Sequence, residues 1–150
     1  MSVLVVAAVV RRGNDVLLVK QQGPDDPAPL WALPAGRVEQ GENLSQAVAR
    51  EVLEETGLQV MRLGALRCVS HALDPASGTG ALALTFEVDE WSGEPQASGT
   101  DEFVTECGFF PVEQAVERLS ALPWRSMREP SVAAVNRPEV TAQYFEYDDL

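Results

Sequence analysis

The chain has 150 residues, 45% of them hydrophobic, and a formal net charge of −12. That length and apolar content suit one compact domain with its own core and exclude wholesale disorder. The negative charge excludes broad non-specific binding to DNA or RNA, because no basic excess exists to displace counterions from phosphates; an anionic substrate would need a cationic bridge.

In chain order, residues 3–10 form a nearly continuous run of β-branched and alanine residues, which predicts a strand buried on both faces. The run lacks the positive leader and the length of a signal peptide or membrane span, so no membrane association is expected. Gly13, Asn14 and Asp15 supply a turn, and residues 16–19 read as the returning strand of a hairpin. A Gly/Pro/Asp-rich loop covers 23–29. Trp31, Ala32 and Leu33 resume extended structure, and Pro34, Ala35 and Gly36 are expected to break it. Residues 44–56 contain no proline or glycine, begin after Asn43 as an N-cap and end at Gly57 as a C-terminal cap, which predicts a helix. Strands are predicted at 60–70 and 81–91, separated by a turn at 74–80. A loop at 92–100 precedes a strand at 103–110. Val112, Ala115, Val116 and Leu119 repeat at helical spacing after Pro111, and a shorter helix is predicted at 131–135. The tail, 143–150, suits either an edge strand or a partner contact, and a homodimer is compatible with it.

Strands and helices thus interleave without a repeat or a dividing linker, which predicts a single α/β domain spanning 1–150. Cys68 and Cys107 lie far apart, outside any CxxC spacing, and are expected to be free thiols in a reducing, cytoplasmic compartment.

The predicted helix at 44–56 has one feature that folding does not explain. Leu44, Ala47 and Val48 set an apolar stripe, and Glu51, Glu54 and Glu55 continue roughly the same face. Carboxylates three and four residues apart repel one another, and a helix C-terminus disfavours anions further, by a few tenths of a kcal/mol each. A hard divalent cation reverses both penalties, since carboxylate oxygens are its preferred ligands.

The segment 36–58 supplies the context. Gly36, five residues, Glu42, seven residues, then Arg50, Glu51, Val52, Glu54, Glu55, Gly57 and Leu58 match every position of the Nudix box. With each identity at roughly one in fifteen, a chance match is on the order of one in ten million. The chain therefore resembles the Nudix hydrolases. The lead-in Trp31 to Gly36 and Phe109-Phe110-Pro111 before a helix extend the resemblance over about 3–119; residues 120–150 carry no recognised motif.

The resemblance implies an α/β/α sandwich, a mixed β-sheet between helices. It also implies hydrolysis of a diphosphate linkage in a small-molecule nucleotide, by water attack on phosphorus, with Mg²⁺ or Mn²⁺ as cofactor. Glu54 and Glu55 would be metal ligands, and Glu51 a further ligand or the catalytic base. Glu42 and Arg50 would pair to support the site together with Gly36 and Gly57. Ala35 stands where the family usually has a glycine whose carbonyl binds metal; a strongly positive φ there would cost alanine about 1 kcal/mol. Arg37 would meet substrate phosphate. A further carboxylate is expected after the 92–100 loop, where Asp101, Glu102 and Glu106 compete; Glu102 is favoured as a catalytic base. His71 and the aromatic residues read as rim or core positions. No signature selects among nucleoside triphosphates, ADP-ribose, other nucleotide sugars and dinucleoside polyphosphates. The alternatives are a non-catalytic nucleotide-sensing Nudix-like domain, a calcium-binding protein, which lacks a DxDxDG loop, and a prenyl-diphosphate isomerase, which lacks a motif around either cysteine.

Overall fold

The computed structural model describes residues 2–97, 101, 103–136, 139 and 142–147. Among the described residues, eight strands form one mixed sheet. Strand β1 (Ser2–Arg12) turns at Gly13, whose φ of +62° suits glycine, into the antiparallel β2 (Asp15–Gln21). The short strands β3 (Leu30–Ala32) and β4 (Ala35–Arg37) pair antiparallel with β2 and β1 respectively. Helix α1 (Leu44–Thr56) follows, then β5 (Gln59–Leu73), β6 (Gly80–Ser92) and β7 (Val104–Pro111). Helices α2 (Val112–Ser120) and α3 (Arg125–Asn136) precede the last strand, β8 (Gln143–Tyr147). The main strand order is β3-β2-β1-β6-β5-β8, with β4 joined to β1 and β7 to β2. The pairs β1/β6 and β5/β8 are parallel and the rest antiparallel.

Alternation along β1 divides the core. Val6, Ala8 and Val10 pack with Ala47, Val48 and Val52 of α1 on one face of the sheet. Val9, with Val16, Leu18 and Cys68, packs against Ala115 and Leu119 of α2 and Ala134 and Val135 of α3 on the other. Helices therefore cover both faces, as the sandwich expectation required. A charged cluster adds to the second layer: Arg11 Nε meets Glu87 Oε1 at 2.6 Å and its Nη2 donates to the carbonyls of Ala134 and Val135. Arg67 Nε lies 3.6 Å from Glu87 Oε2, close enough for ionic attraction but outside hydrogen-bond range.

Two local expectations need correction. The expected break at 34–36 is narrower than predicted: it falls at Leu33 and Pro34, and Ala35, Gly36 and Arg37 form a strand paired with Ala7, Val6 and Val5. Proline cannot donate to a ladder, and the chain bends at Pro34 between β3 and β4, although the Pro34 carbonyl accepts from Ala8 N at 2.9 Å. The short helix expected at 131–135 begins six residues earlier, at Arg125, with Pro130 inside it. Proline removes the donor that would serve the Ser126 carbonyl, and Ser70 Oγ, reaching up from β5, approaches that carbonyl at 3.4 Å instead. The tail does pair as an edge strand, alongside β5. Both cysteines are free; burial pushes the Cys68 thiol up to about 11.

Candidate active site

Helix α1 is fixed at both ends by its own sequence. The Asn43 side chain accepts from Gln46 N, and the Gln46 side chain accepts from Asn43 N in return, a complete capping box. At the other end Gly57 adopts φ +76° and donates to the Leu53 carbonyl. Between the caps, Glu51 and Glu55 are buried, while Glu54 is only partly so. The single acidic face expected from the sequence is split, because Glu54 is rotated about 60° from Glu51 and about 100° from Glu55. Glu51 and Glu55 turn inward with the apolar stripe; Glu54 stays at the rim, where Arg50 Nη1 reaches its Oε2 at 3.3 Å.

Three carboxylates converge. One oxygen each from Glu51, Glu55 and Asp101 lie within 4.8 Å of one another. Asp101 is set in a turn by Phe103 N, which donates to its Oδ1 at 3.0 Å. Glu102, the favoured base, lies outside the described residues. Glu106 is directed elsewhere: it is exposed and pairs with Lys20 at 3.0 Å. Ala35 closes the cluster from β4, its N–H donating to Glu55 Oε2 at 3.0 Å. Its φ is not positive, so alanine fits there without backbone strain.

The packing explains the glycine after it. A Cβ at Gly36 would run into the Glu51 carboxylate, so the box glycine is a close approach of backbone to side chain. Arg50 completes the frame. Its Nε and Nη2 fork onto Glu42 at 2.6 and 3.0 Å, its Nη1 reaches Glu51 at 2.8 Å, and its Nη2 also donates to the Arg37 carbonyl at 2.9 Å. The Glu42 carboxyl is held down to about 2, chiefly by Arg50, and Arg50 is correspondingly raised by Glu42. The exposed Arg37 side chain makes no ion pair among the described residues.

Electrostatics inside the cluster run the other way. Burial raises the Glu51 carboxyl, with Arg50 opposing. Burial, and then the negative charges of Glu51 and Asp101, push Glu55 up to about 9. An all-oxygen donor set with too much buried negative charge suits a hard divalent cation.

Beside the cluster, on the opposite sheet face from α1, lies a cavity of about 230 Å³ roofed by α3. Ala35 borders it, so the carboxylates and the cavity share one edge. Its floor is made of small residues at laterally paired positions: Ala7 beside Thr85, Ala83 beside Ser70, Ala81 beside Ala72. Thr85 and Ser131 are largely buried residues whose hydroxyls stay accessible from the cavity and have no hydrogen-bond partner among the described residues. These positions escaped the sequence reading, since alternating alanines and hydroxyls look like ordinary strand core. The usable signal was volume: facing small residues on neighbouring strands cannot fill the space beneath a helix. Four of the aromatic residues pack on one another, Trp31 edge-on to Phe110 and Trp91 stacked on Phe109, while Trp124 is exposed.

Comparison with known proteins settles the family. Residues 1–133 match the family model described as NUDIX domain. The chain belongs to the NUDIX family. It is 37% identical over 94 residues to a putative 8-oxo-dGTP diphosphatase 2 of Mycobacterium tuberculosis, covering 63% of this chain and 65% of that protein. It is 33% identical over 92 residues to an ADP-ribose pyrophosphatase of Methanocaldococcus jannaschii, covering 61% of this chain and 53% of that one. The alignments thus span between about half and two thirds of these relatives' lengths. Among solved structures, a MutT NUDIX hydrolase of Burkholderia pseudomallei superposes with a TM-score of 0.68 at 27% identity, covering 89% of this chain and 98% of that one. The resemblance seen in the box therefore extends to the whole fold.

Proposed function

We propose that this chain is a divalent-metal-dependent pyrophosphohydrolase that cleaves a diphosphate linkage in a nucleoside diphosphate derivative, such as a nucleoside triphosphate, ADP-ribose or another nucleotide sugar. One observation carries the reading: Glu51, Glu55 and Asp101 converge next to Ala35, which also borders the cavity. A polyphosphate at the carboxylates would leave its nucleoside within reach of that cavity. The relatives named as diphosphatases and pyrophosphatases support the reaction class and span more than one substrate.

Glu51, Glu55 and Asp101 are the residues that would hold Mg²⁺ or Mn²⁺, with Glu54 at the rim and the Ala35 carbonyl as further ligands. When bound, the ion supplies charge neutralisation at the phosphoryl oxygens. The chain's own residues do the rest. Arg50 keeps Glu51 oriented and opposes the burial that raises its carboxyl. Glu51, or Glu102 from the neighbouring loop, accepts the proton of the attacking water. Arg37, exposed at the end of β4, meets substrate phosphate. Gly36, Glu42 and Gly57 hold the frame.

The test is a panel of nucleoside triphosphates, ADP-ribose and nucleotide sugars incubated with Mg²⁺ or Mn²⁺, with chromatography of the products. Cleavage to a nucleoside monophosphate and a second phosphate-bearing product is expected with metal and not with chelator. If no member is cleaved under either metal, the enzymatic reading is wrong.

A further inference from the structure

Helix α3 contains a carbonyl that lacks its usual α-helical partner. In an α-helix the Ser126 carbonyl accepts from the N–H four residues on, and that residue is Pro130, which has none. The carbonyl is directed at the sheet, because Ser70 Oγ approaches it from β5 at 3.4 Å. That contact is at the long limit for a hydrogen bond, and a carbonyl has two lone pairs, so acceptor capacity remains. Ser70, Ser126 and Pro130 all border the cavity next to Ala35. The unpartnered hydroxyls of Thr85 and Ser131 border it too. No charged side chain lines it.

Resting on the reading that this cavity takes the nucleoside, we infer that Pro130 makes the Ser126 carbonyl a base-reading acceptor and that the site prefers nucleobases carrying an exocyclic amino group. The chemistry is complementary. An amino group donates to the carbonyl, and the neighbouring ring nitrogen or ring N–H meets a hydroxyl, which donates or accepts as required. A base lacking the amino group leaves the carbonyl facing a C–H edge or, in uracil, a second acceptor, and loses affinity accordingly. Pro130 acts here as a positioning residue: it frees the acceptor without touching the phosphates.

Calorimetry with nucleoside monophosphates reads this independently of hydrolysis. Guanosine and inosine monophosphates differ only by an amino group, as do adenosine and purine riboside monophosphates; cytidine and uridine monophosphates form a third pair. In at least one pair the amino-bearing member should bind about five- to tenfold more tightly. Pro130→Ala returns an N–H to the Ser126 carbonyl and should shrink that ratio to within about twofold, while good helix propensity keeps the fold intact. Equal affinities in all three pairs, or a preference that survives Pro130→Ala, overturn the inference. A preference that behaves as expected in a protein that cleaves nothing overturns the enzymatic reading and leaves this one standing.

Discussion

In the proposed site, Glu55 shows most directly how one side chain would trade stability for chemistry. It is 1% exposed, has one backbone donor, and faces two other carboxylates, so the metal-free fold favours its neutral form. Glu55→Gln imitates that form with nearly the same shape. In chelator its melting temperature should rise by about 1–8 °C, corresponding to roughly 0.5–2 kcal/mol, while turnover with saturating Mg²⁺ falls by about 10²-fold or more. Calorimetry and steady-state rates check the two halves separately, and an unstable but active variant would contradict both. Gly36 gives the complementary case. The Cβ of Gly36→Ala meets only the end of the flexible Glu51 side chain, which can swing aside. The fold should lose about 1 kcal/mol or less, yet Glu51 would be displaced from the cluster, and a misplacement of that order costs about 10²-fold in rate. A variant with native activity would show that Glu51 does not need its present position.

At the scale of elements, the site depends on how β4 is locked to α1. Arg50, in the helix, forks onto Glu42 in the connecting loop and bonds the Arg37 carbonyl at the end of β4, so one guanidinium spans all three segments. The pH dependence follows from Glu42, whose carboxyl is lowered from 4.5 to about 2. A lowered carboxyl contributes stability above its unfolded value and loses it as pH falls through its folded value. The difference in melting temperature between the native chain and Glu42→Gln should therefore be full above about pH 5 and vanish toward pH 2. A gap that persists unchanged at pH 2 would falsify the assignment of that stability to the ion pair. The Glu42–Arg50 pair was legible in the sequence, because capped helices and fixed spacings are local properties. What was not legible came from tertiary placement. Which of Asp101, Glu102 and Glu106 faces the cluster depends on a turn and on the pairing of β7 with β2, where Lys20 claims Glu106. The start of α3 was hidden because Pro130 signals a helix end unless something else serves the Ser126 carbonyl, and Ser70 lies 56 residues away. Glu54 was grouped with its neighbours by spacing alone, and a rotation of about 60° was enough to move it to the rim.

For the whole molecule, the same acidity that builds the candidate site opposes the substrate proposed for it. The chain carries −12, and a polyphosphate approaching it is repelled at distances up to the screening length. That length is about 30 Å at 10 mM ionic strength and about 8 Å at 150 mM, so added salt removes the long-range repulsion while contacts inside the cluster are screened much less. The consequence is opposite to that for a nucleic-acid binder, where salt weakens association. With metal held saturating throughout, kcat/KM should rise about twofold or more between 10 and 150 mM monovalent salt, with the change in KM and kcat nearly constant. Stopped-flow or initial-rate series across that range measure it. A steady fall would mean that a local positive field around Arg37 outweighs the net charge of the fold, and neutralising Arg37 should then abolish the dependence. A rise that survives Arg37→Ala would instead assign the effect to the global charge, leaving Arg37 to act only at contact with phosphate.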